Sequence, residues 1–194
     1  MDLSFNDLTM FGTGPYGNLH KDIEMRSSSV DGNGLFAKAL IKKGTILWKN
    51  REDGPMQQHY KLYTFDELDN LPTHIRSCIT KYGSQLSDNT IIGPETENDA
   101  KYDNANYFNH SCDPNCLPLN ENIWIAIKDI NKDEEITIDY ITFDSNPYCS
   151  IEKCCCNSKN CRKSLNHDDY KIPELQKKYK GHFVSFIQEK INSL

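Results

Sequence analysis

Short apolar runs separated by glycine- and asparagine-rich turns dominate the first quarter of the chain. Residues 23–26 are typical of a first strand, and further apolar runs at 35–37 and 45–48 predict a β-hairpin or meander. Residues 31–34 (Asp-Gly-Asn-Gly) supply turn chemistry, since glycine accepts positive φ and close backbone approach. Residues 1–22 show little periodicity and are interpreted as an irregular leader.

The pattern changes to a helical period in the middle of the chain. Thr64 followed by Glu67 has the spacing of a capping box at a helix start. Apolar residues then recur at helical spacing as far as Tyr82, with a break at Pro72. We therefore expect two consecutive helices, followed by a polar, acidic loop at 93–103.

Strand patterns return in the second half and give way to a final helical pattern. A buried strand is predicted at 123–127, and an acidic turn leads into a strand at 135–140 that ends in Tyr140. From Pro173 to residue 194 apolar residues recur near helical spacing, which predicts one amphipathic C-terminal helix with proline in its first turn.

Charge and hydropathy narrow the functional classes. A net charge of −6 argues against a general nucleic-acid binder, which usually has a basic face, and suits a basic partner. The N-terminus lacks a secretory signal, and no segment approaches the roughly 18 apolar residues needed to span a bilayer. We therefore expect an intracellular protein without direct nucleic-acid or membrane binding. Nothing in the sequence indicates the oligomeric state.

Four of the eight cysteines are crowded into residues 154–161. In an intracellular protein this favours reduced thiols and a metal over disulfides, although a redox-sensitive or disulfide cluster is the alternative. Zinc prefers four soft ligands in a tetrahedron, and one loop supplies three of them, Cys154, Cys156 and Cys161. The leading candidate for the fourth ligand is Cys112.

The other cysteines leave alternatives open. Cys155 could replace a neighbour as a ligand, and Cys116 and Cys149 are weaker candidates. Cys78 lies on an apolar helical face and is expected to pack in the core.

Asn109 and His110 lie directly before Cys112 and Pro114. A rigid backbone next to a metal thiolate would aim an amide and an imidazole at one place. Taken alone, the pair could equally cap local backbone, and Tyr140 alone would be a core residue.

Together and in order, these segments resemble the SET-domain protein lysine methyltransferases. Residues 32–37 (Gly-Asn-Gly-Leu-Phe-Ala) resemble the N-terminal Gly-x-Gly motif, and 109–115 (Asn-His-Ser-Cys-Asp-Pro-Asn) match the Asn-His-Ser-Cys-x-Pro-Asn motif without a substitution. Residues 134–140 (Glu-Glu-Ile-Thr-Ile-Asp-Tyr) resemble the Gly-Glu-Glu-Leu-Thr-x-Asp-Tyr motif, and 154–161 resemble the zinc-binding post-SET segment. The resemblance covers residues 23–165.

The resemblance implies a fold that is mostly β with some α. It is the SET-domain (β-clip-like) fold of small sheets with a pseudoknot-like core, a helical insert and a C-terminal helix. The chain would divide into the leader, a SET domain at 23–143 with its helical insert at 55–103, a post-SET zinc segment at 144–165, and a C-terminal helix at 166–194.

The activity implied is protein-lysine N-methylation with S-adenosylmethionine as methyl donor and S-adenosylhomocysteine as product. A histone tail is the default substrate class, which implies a nuclear or chromatin-associated location. Tyr140 would orient the lysine amine at the end of a narrow channel, and one structural Zn²⁺ would be held by the four cysteines named above. The cofactor-binding residues implied are Gly32, Asn33, Gly34, Leu35, Asn109, His110, Tyr140 and Leu165.

The chain departs from the family pattern at three positions. Ile138 stands where Phe or Tyr is usual, and because it has no hydroxyl to hold a water, it favours di- or trimethylation. Asn157 replaces the usual post-SET glycine, which is a mild change because asparagine tolerates a left-handed backbone. The motif that normally supplies a second channel tyrosine is missing, and the candidates are Tyr60, Tyr63, Tyr102 and Tyr107. We take Tyr107 and Ile138 as channel residues.

Two other functions are consistent with the motifs. One is a catalytically silent SET-like module that binds a peptide, against which an intact Tyr140 and the intact Asn109-His110 pair argue. The other is a zinc-stabilised structural protein with no cofactor.

Overall fold

The computed structural model describes residues 19–50, 56–148 and 151–194, so most of the expected leader, and Cys149, lie outside the described residues. The described residues form ten strands: β1 (Ile23–Ser27), β2 (Asn33–Ala37), β3 (Ile46–Lys49), β4 (Tyr60–Thr64), β5 (Ser84–Gln85), β6 (Thr90–Pro94), β7 (Asn109–His110), β8 (Cys116–Asn120), β9 (Ile123–Ala126) and β10 (Glu135–Ile138). They also form six helices: α1 (Met56–His59), α2 (Phe65–Asp69), α3 (Thr73–Tyr82), α4 (Glu97–Ala100), α5 (Pro173–Lys178) and α6 (Ser185–Asn192).

The strands form a curled main sheet and a small second sheet. The main sheet has the order β1-β2-β10-β8-β9-β3, and β7 also pairs with β10. The second sheet has the order β4-β6-β5. The expected fold, mostly β with some α, is confirmed.

Strand β10 lies at the centre of the main sheet. It pairs antiparallel with β2, where Ile136 lies opposite Leu35, and parallel with both β7 and β8. Alternate residues of β10 point into the core, so Ile136 and Ile138 have no exposed side-chain surface. The segment 109–116 therefore runs alongside β10, which places the Asn-His pair next to the residues that precede Tyr140.

The hairpin or meander expected from residues 35–37 and 45–48 is wrong. Strand β2 lies between β1 and β10, whereas β3 pairs with β9. Residues 38–45 carry the chain from one to the other, and Ile41 forms an isolated bridge to Ile130 on the way. Both strands are largely buried, so each is stabilised by partners distant in sequence rather than by its neighbour.

The insert mixes helices with strands. Thr64 caps α2 with the predicted reciprocal bonds to Glu67, and α3 starts after Pro72 and ends at Tyr82, as predicted. The strands β4, β5 and β6 were not predicted, and the acidic loop contains the short helix α4. Leu68, Ile79 and Ile91 form the separate core of this insert.

Two helices replace the single C-terminal helix that we expected. Pro173 occupies the first turn of α5 as predicted, but α5 ends at Lys178 and α6 begins only at Ser185. Between them, Gly181 has a φ of 82°, a conformation that interrupts a right-handed helix. Tyr179 and Val184 are nevertheless buried, so the apolar spacing continues across the break.

The main core lies under the large sheet and is built from aliphatic and tryptophan side chains of β2, β3, β9 and β10. Cys78 on α3 is buried, as predicted, and Cys116 is fully buried in this main core. Among the described residues, no helix is long and apolar enough to cross a membrane.

A buried carboxylate lies at the edge of the insert. Asp103 is 3% exposed and accepts a hydrogen bond from the Ala105 amide at 2.9 Å, at the start of a 3₁₀ helix (Asn104–Tyr107). Burial raises the pKa of the Asp103 carboxyl from 3.8 to about 6, partly offset by that hydrogen bond. The folded chain therefore binds a proton at this site more tightly than the unfolded chain does.

We predict that Asp103→Asn is more stable than the wild type near neutral pH. Because the folded-state pKa is raised, the charged carboxylate destabilises the fold progressively as the pH rises from about 4 to about 6, and constantly above that. The amide keeps an acceptor for Ala105 and removes the charge, so the gain should approach 2 to 3 kcal/mol, on the order of the two-unit shift. Urea unfolding of both proteins from pH 4 to pH 8 measures it, and a difference that does not vary with pH would contradict this account.

Candidate functional site

A cleft of about 750 Å³ lies between the main sheet, the insert and the residues that follow β10. Its walls come from the turn before β2, from α3, from the segment that ends in β7, and from the cysteine loop, which we define as residues 151–165. Among the lining residues are the predicted metal ligand Cys154 and six of the cofactor, catalytic and channel residues identified from the sequence: Gly32, Asn33, Tyr107, Asn109, His110 and Tyr140. The structure thus gathers residues from three separate motifs at one cavity.

Four other site residues from the sequence lie behind the cleft wall. Leu35 and Ile138 are 1% and 0% exposed and pack in the main core. Leu165 is 3% exposed and belongs to a second cluster that also contacts Tyr140. Gly34 faces Asn109 rather than the cleft, and a Cβ there would lie 2.9 Å from the Asn109 Nδ2.

The Asn109 amide ties the glycine turn to β7. Its Nδ2 donates to the carbonyl oxygens of Asp31 at 3.1 Å and Asn33 at 3.2 Å, and to Glu135 Oε1 at 2.8 Å. Ser28 Oγ donates to the same carboxylate at 2.8 Å. This role of Glu135 could not be predicted from the sequence, because Glu135 is one of two adjacent glutamates in an acidic turn. The result is a fixed backbone at one end of the cleft.

Tyr140 lies just beyond the end of β10. The strand ends at Ile138, and Tyr140 begins a 3₁₀ helix (Tyr140–Thr142), whereas the sequence predicted a strand as far as the tyrosine. Its hydroxyl donates to the Phe108 carbonyl at 3.0 Å. Its ring lies edge-on to the His110 imidazole, with the two ring centroids 5.2 Å apart. The phenol is therefore held by contacts on both its hydroxyl and its ring.

His110 is buried and neutral in this environment. Desolvation lowers the pKa of its imidazole to about 4, against the opposing effect of the nearby Asp139. The ring Nδ1 accepts from the Tyr140 amide at 3.4 Å, which assigns the proton to Nε2. Nε2 faces the Cys112 sulfur at 3.4 Å. His110 thus connects the backbone of Tyr140 to the cysteine cluster.

The four cysteines identified from the sequence come together. The Sγ atoms of Cys112, Cys154, Cys156 and Cys161 all lie within 4.8 Å of one another. A tetrahedron with Zn–S bonds of about 2.3 Å has sulfur atoms about 3.8 Å apart, so the cluster is close to that spacing. Cys155 is exposed and Cys116 is buried in the core, and neither belongs to the cluster.

Hydrogen-bond donors surround these sulfur atoms. The backbone amides of Arg162 and Lys163 lie 3.3 Å from the sulfurs of Cys112 and Cys161, respectively. Asn157, directly after Cys156 in the cysteine loop, has a φ of 53°, the left-handed conformation that its side chain was expected to tolerate. Such donors stabilise thiolates, the form that binds metals.

Asp139 is the buried charge beside Tyr140, and its partners were not predicted. It has no exposed surface and receives two hydrogen bonds from the Arg162 guanidinium, at 2.7 and 2.8 Å. Burial opposes the charge on Arg162, but the hydrogen bonds to Asp139 outweigh it and raise the pKa of the guanidinium. The only signal available in the sequence was an arginine directly after Cys161.

Of the four candidates for a second channel tyrosine, Tyr107 lines the cleft. The others do not line it: Tyr60 accepts from Asn106, Tyr63 donates to Glu95, and Tyr102 stacks on His59. Two lining tyrosines were missed by the sequence analysis, namely Tyr82 and Tyr148. Tyr148 lies between the Asp-Tyr motif and the cysteine loop, which was the available clue.

Comparison with known proteins agrees with this geometry. The SET domain family profile matches residues 32–141. Histone-lysine N-methyltransferase trithorax from Drosophila virilis is 30% identical over 144 residues, which are 69% of this chain and 4% of that protein. Histone-lysine N-methyltransferase set1 from Dictyostelium discoideum is 35% identical over 45% of this chain and 6% of its own length. This chain therefore matches only a small part of these relatives.

A fungal relative and a solved structure extend the comparison. The H3 lysine-9 specific histone-lysine N-methyltransferase KMT1 from Fusarium mangiferae is 32% identical over 40% of this chain and 28% of its own length. The crystal structure of the methyltransferase domain of human histone-lysine N-methyltransferase SETMAR superposes with a TM-score of 0.51 at 21% identity, over 76% of this chain and 58% of that one. That likeness concerns the fold. With the family profile covering more than half of its residues, this chain belongs to the SET domain family.

Proposed function

We propose that this chain is a protein-lysine N-methyltransferase that uses S-adenosylmethionine and acts on a lysine of a histone tail. The observation that carries the proposal is the convergence of Tyr140, Asn109 and His110 on one cleft beside the four-cysteine cluster. The names of the relatives, all histone-lysine N-methyltransferases, support the same reaction class. A histone substrate would place the protein in the nucleus or on chromatin, and its net charge of −6 suits a basic tail.

The cleft is large enough to hold S-adenosylmethionine. Small-molecule sites commonly have volumes of about 300 to 1,000 Å³, and this cleft falls within that range. Gly32 has a φ of 45° and open space at its Cβ position, so a ligand can approach its backbone closely. We assign Gly32, Asn33, Asn109 and His110 to the cofactor, with Gly34, Leu35 and Leu165 supporting the walls from behind. When bound, S-adenosylmethionine supplies an electrophilic methyl group on a sulfonium sulfur.

The protein's own part in the reaction is to deliver a neutral, aligned amine. Free lysine has a pKa near 10.4, so only about one molecule in a thousand is uncharged near pH 7. A partly buried channel disfavours the ammonium form. The Tyr140 hydroxyl, whose hydrogen points to the Phe108 carbonyl, presents its oxygen to an amine N–H. Such alignment lowers the activation free energy of methyl transfer, because the amine loses its orientational freedom on binding rather than in the transition state.

Two channel residues bear on the extent of methylation. Tyr107 lines the cleft and is the proposed second channel tyrosine. Ile138 is fully buried in the main core, against which Tyr140 packs, and offers no hydroxyl there. Without a hydroxyl to hold a water molecule there, an already methylated amine has room to turn, and we propose di- or trimethylation.

We assign one structural Zn²⁺ to Cys112, Cys154, Cys156 and Cys161. The ion would join the segment that carries Asn109 and His110 to the cysteine loop, which forms one wall of the cleft. All four ligands are thiols, which leaves no open position for chemistry and is typical of a structural site.

Methyl transfer to histones should depend on the Tyr140 hydroxyl. We expect wild-type protein to transfer labelled methyl groups from S-adenosylmethionine to a core histone. Tyr140→Phe should lose roughly 10- to 150-fold in rate, the equivalent of one hydrogen bond to the amine as it takes on positive charge in the transition state. Tyr63→Phe is the matched control, because it removes a phenol hydroxyl that bonds Glu95 outside the cleft.

The assay panel also separates the alternatives. Histones and cell-extract proteins are tested in parallel, with equilibrium dialysis of S-adenosylmethionine on the same preparations. A folded, zinc-loaded wild type that binds a histone peptide without transferring methyl groups would be a silent peptide-binding module. Binding neither cofactor nor peptide would indicate a structural protein, and in both cases the proposed reaction would be wrong.

Zinc binding should depend on the four clustered cysteines and not on Cys155, the middle residue of the run 154–156. We expect about one zinc per chain by mass spectrometry of purified protein, and Cys156→Ser to lose most of it because a thiolate ligand is removed. Cys155→Ser is the matched neighbour and should keep its zinc, since Cys155 is exposed and outside the cluster. Equal loss from both variants would show that Cys155 is a ligand.

A further inference from the structure

The C-terminal segment, residues 169–192, lies beyond the part of the chain that the family profile covers and packs against the site. Lys178 at the end of α5 donates from Nζ to the Cys112 carbonyl at 2.6 Å. The next residue, Tyr179, is 1% exposed and donates from its hydroxyl to Asp139 Oδ2 at 2.7 Å. Val184 donates its amide to the Thr142 carbonyl at 2.9 Å. The segment thus contacts the chain on both sides of Tyr140.

The Asp139 carboxylate accepts hydrogen bonds from Arg162 and Tyr179. Its Oδ2 atom accepts from both Arg162 Nη1 and the Tyr179 hydroxyl, each at 2.7 Å, while Oδ1 accepts from Arg162 Nη2. His110 Nδ1 lies 3.7 Å from Oδ1. The carboxylate is therefore held from one side by the cysteine loop and from another by the C-terminal segment. Asp139 directly precedes Tyr140 in the chain, so the two residues share a peptide unit.

We propose that Tyr179 is a positioning residue for methyl transfer, acting through Asp139 on Tyr140; this rests on the proposed function. The hydroxyl of Tyr179 and the guanidinium of Arg162 hold the Asp139 carboxylate in one rotamer. Asp139 precedes the tyrosine whose backbone amide bonds His110 and whose hydroxyl contacts Phe108. A shift of the carboxylate therefore changes the direction in which the phenol points.

The ring of Tyr179 has a separate packing role, which makes the hydroxyl testable by itself. It packs with Leu117, Ile141 and Leu165, and it meets Phe183 edge-on at 6.3 Å. Tyr179→Phe keeps these contacts, and Asp139 keeps both bonds from Arg162. The variant loses only the bond to Asp139 and a longer contact from the same hydroxyl to the Cys112 carbonyl at 3.4 Å.

The test compares steady-state methyl transfer by wild type, Tyr179→Phe and Ile187→Val in the full chain. Ile187 is the control because it is fully buried in the same segment, in a cluster with Tyr170 and Val184, and has no hydroxyl to lose. We expect Tyr179→Phe to lower kcat by about tenfold, while the KM for peptide and for S-adenosylmethionine changes by less than about twofold. Ile187→Val should lower the melting temperature and leave kcat unchanged.

The outcomes distinguish this inference from the proposed function. If wild type transfers methyl groups but Tyr179→Phe has the kcat of Ile187→Val at a temperature where both are folded, the positioning role is wrong. If wild type transfers none, the proposed function itself fails. Should Tyr179→Phe not fold, Lys178→Met decides, since that side chain is 38% exposed and its bond to Cys112 also holds the segment in place. An unchanged kcat in that variant would overturn the proposal.

Discussion

The charge of Asp139 is the constraint on which the rest of the site depends. A carboxylate without solvent exposure is costly, by several kcal/mol, unless hydrogen-bond donors and an opposite charge replace the lost water. Arg162 and Tyr179 meet that requirement, and they belong to the cysteine loop and the C-terminal segment. One buried charge therefore requires two distant stretches of chain to lie beside Tyr140. These contacts hold the cysteine loop and the C-terminal segment against the residue that precedes the phenol.

A second constraint acts at the other end of the cleft. A Cβ on Gly34 would lie 2.2 Å from Glu135 Oε1, which is shorter than any stable contact. That carboxylate cannot easily move aside, because it is bonded by both Ser28 and Asn109. Glycine is thus needed here for the space it leaves rather than for an unusual φ. The Gly-x-Gly motif and the acidic pair before Tyr140 are two halves of one arrangement.

Much of this molecule could be predicted from local sequence. The motif order led to the fold, the capping box at Thr64 specified the start of α2, and the cysteine spacing predicted three of the four thiols that meet. Strand partners could not be read in this way, because an apolar run shows that a strand is buried but not what it pairs with. The hairpin expected from residues 35–37 and 45–48 was wrong for that reason.

The C-terminal region shows the same limit. Apolar periodicity reports burial, and Tyr179 and Val184 are buried although they lie between two helices. Gly181 was the local sign that the helix is interrupted, but the apolar pattern continues on both sides of this glycine and hid the interruption. Arg162 and Tyr179 carried no motif at all. Their importance comes from a charge that lies far away in sequence, and only the folded chain reveals it.

The long separations within the site have a consequence for how the protein is made. The contact between Asn109 and the Asp31 carbonyl spans 78 residues, that between Arg162 and Cys112 spans 50, and that between Tyr179 and Asp139 spans 40. Contacts of this kind form slowly, since a long loop must close before any of them stabilises the chain. On the ribosome, the Asp139 carboxylate emerges before the two segments that neutralise it. The site is therefore among the last parts of the protein to form, and a nascent chain is without it until residue 179 has been synthesised.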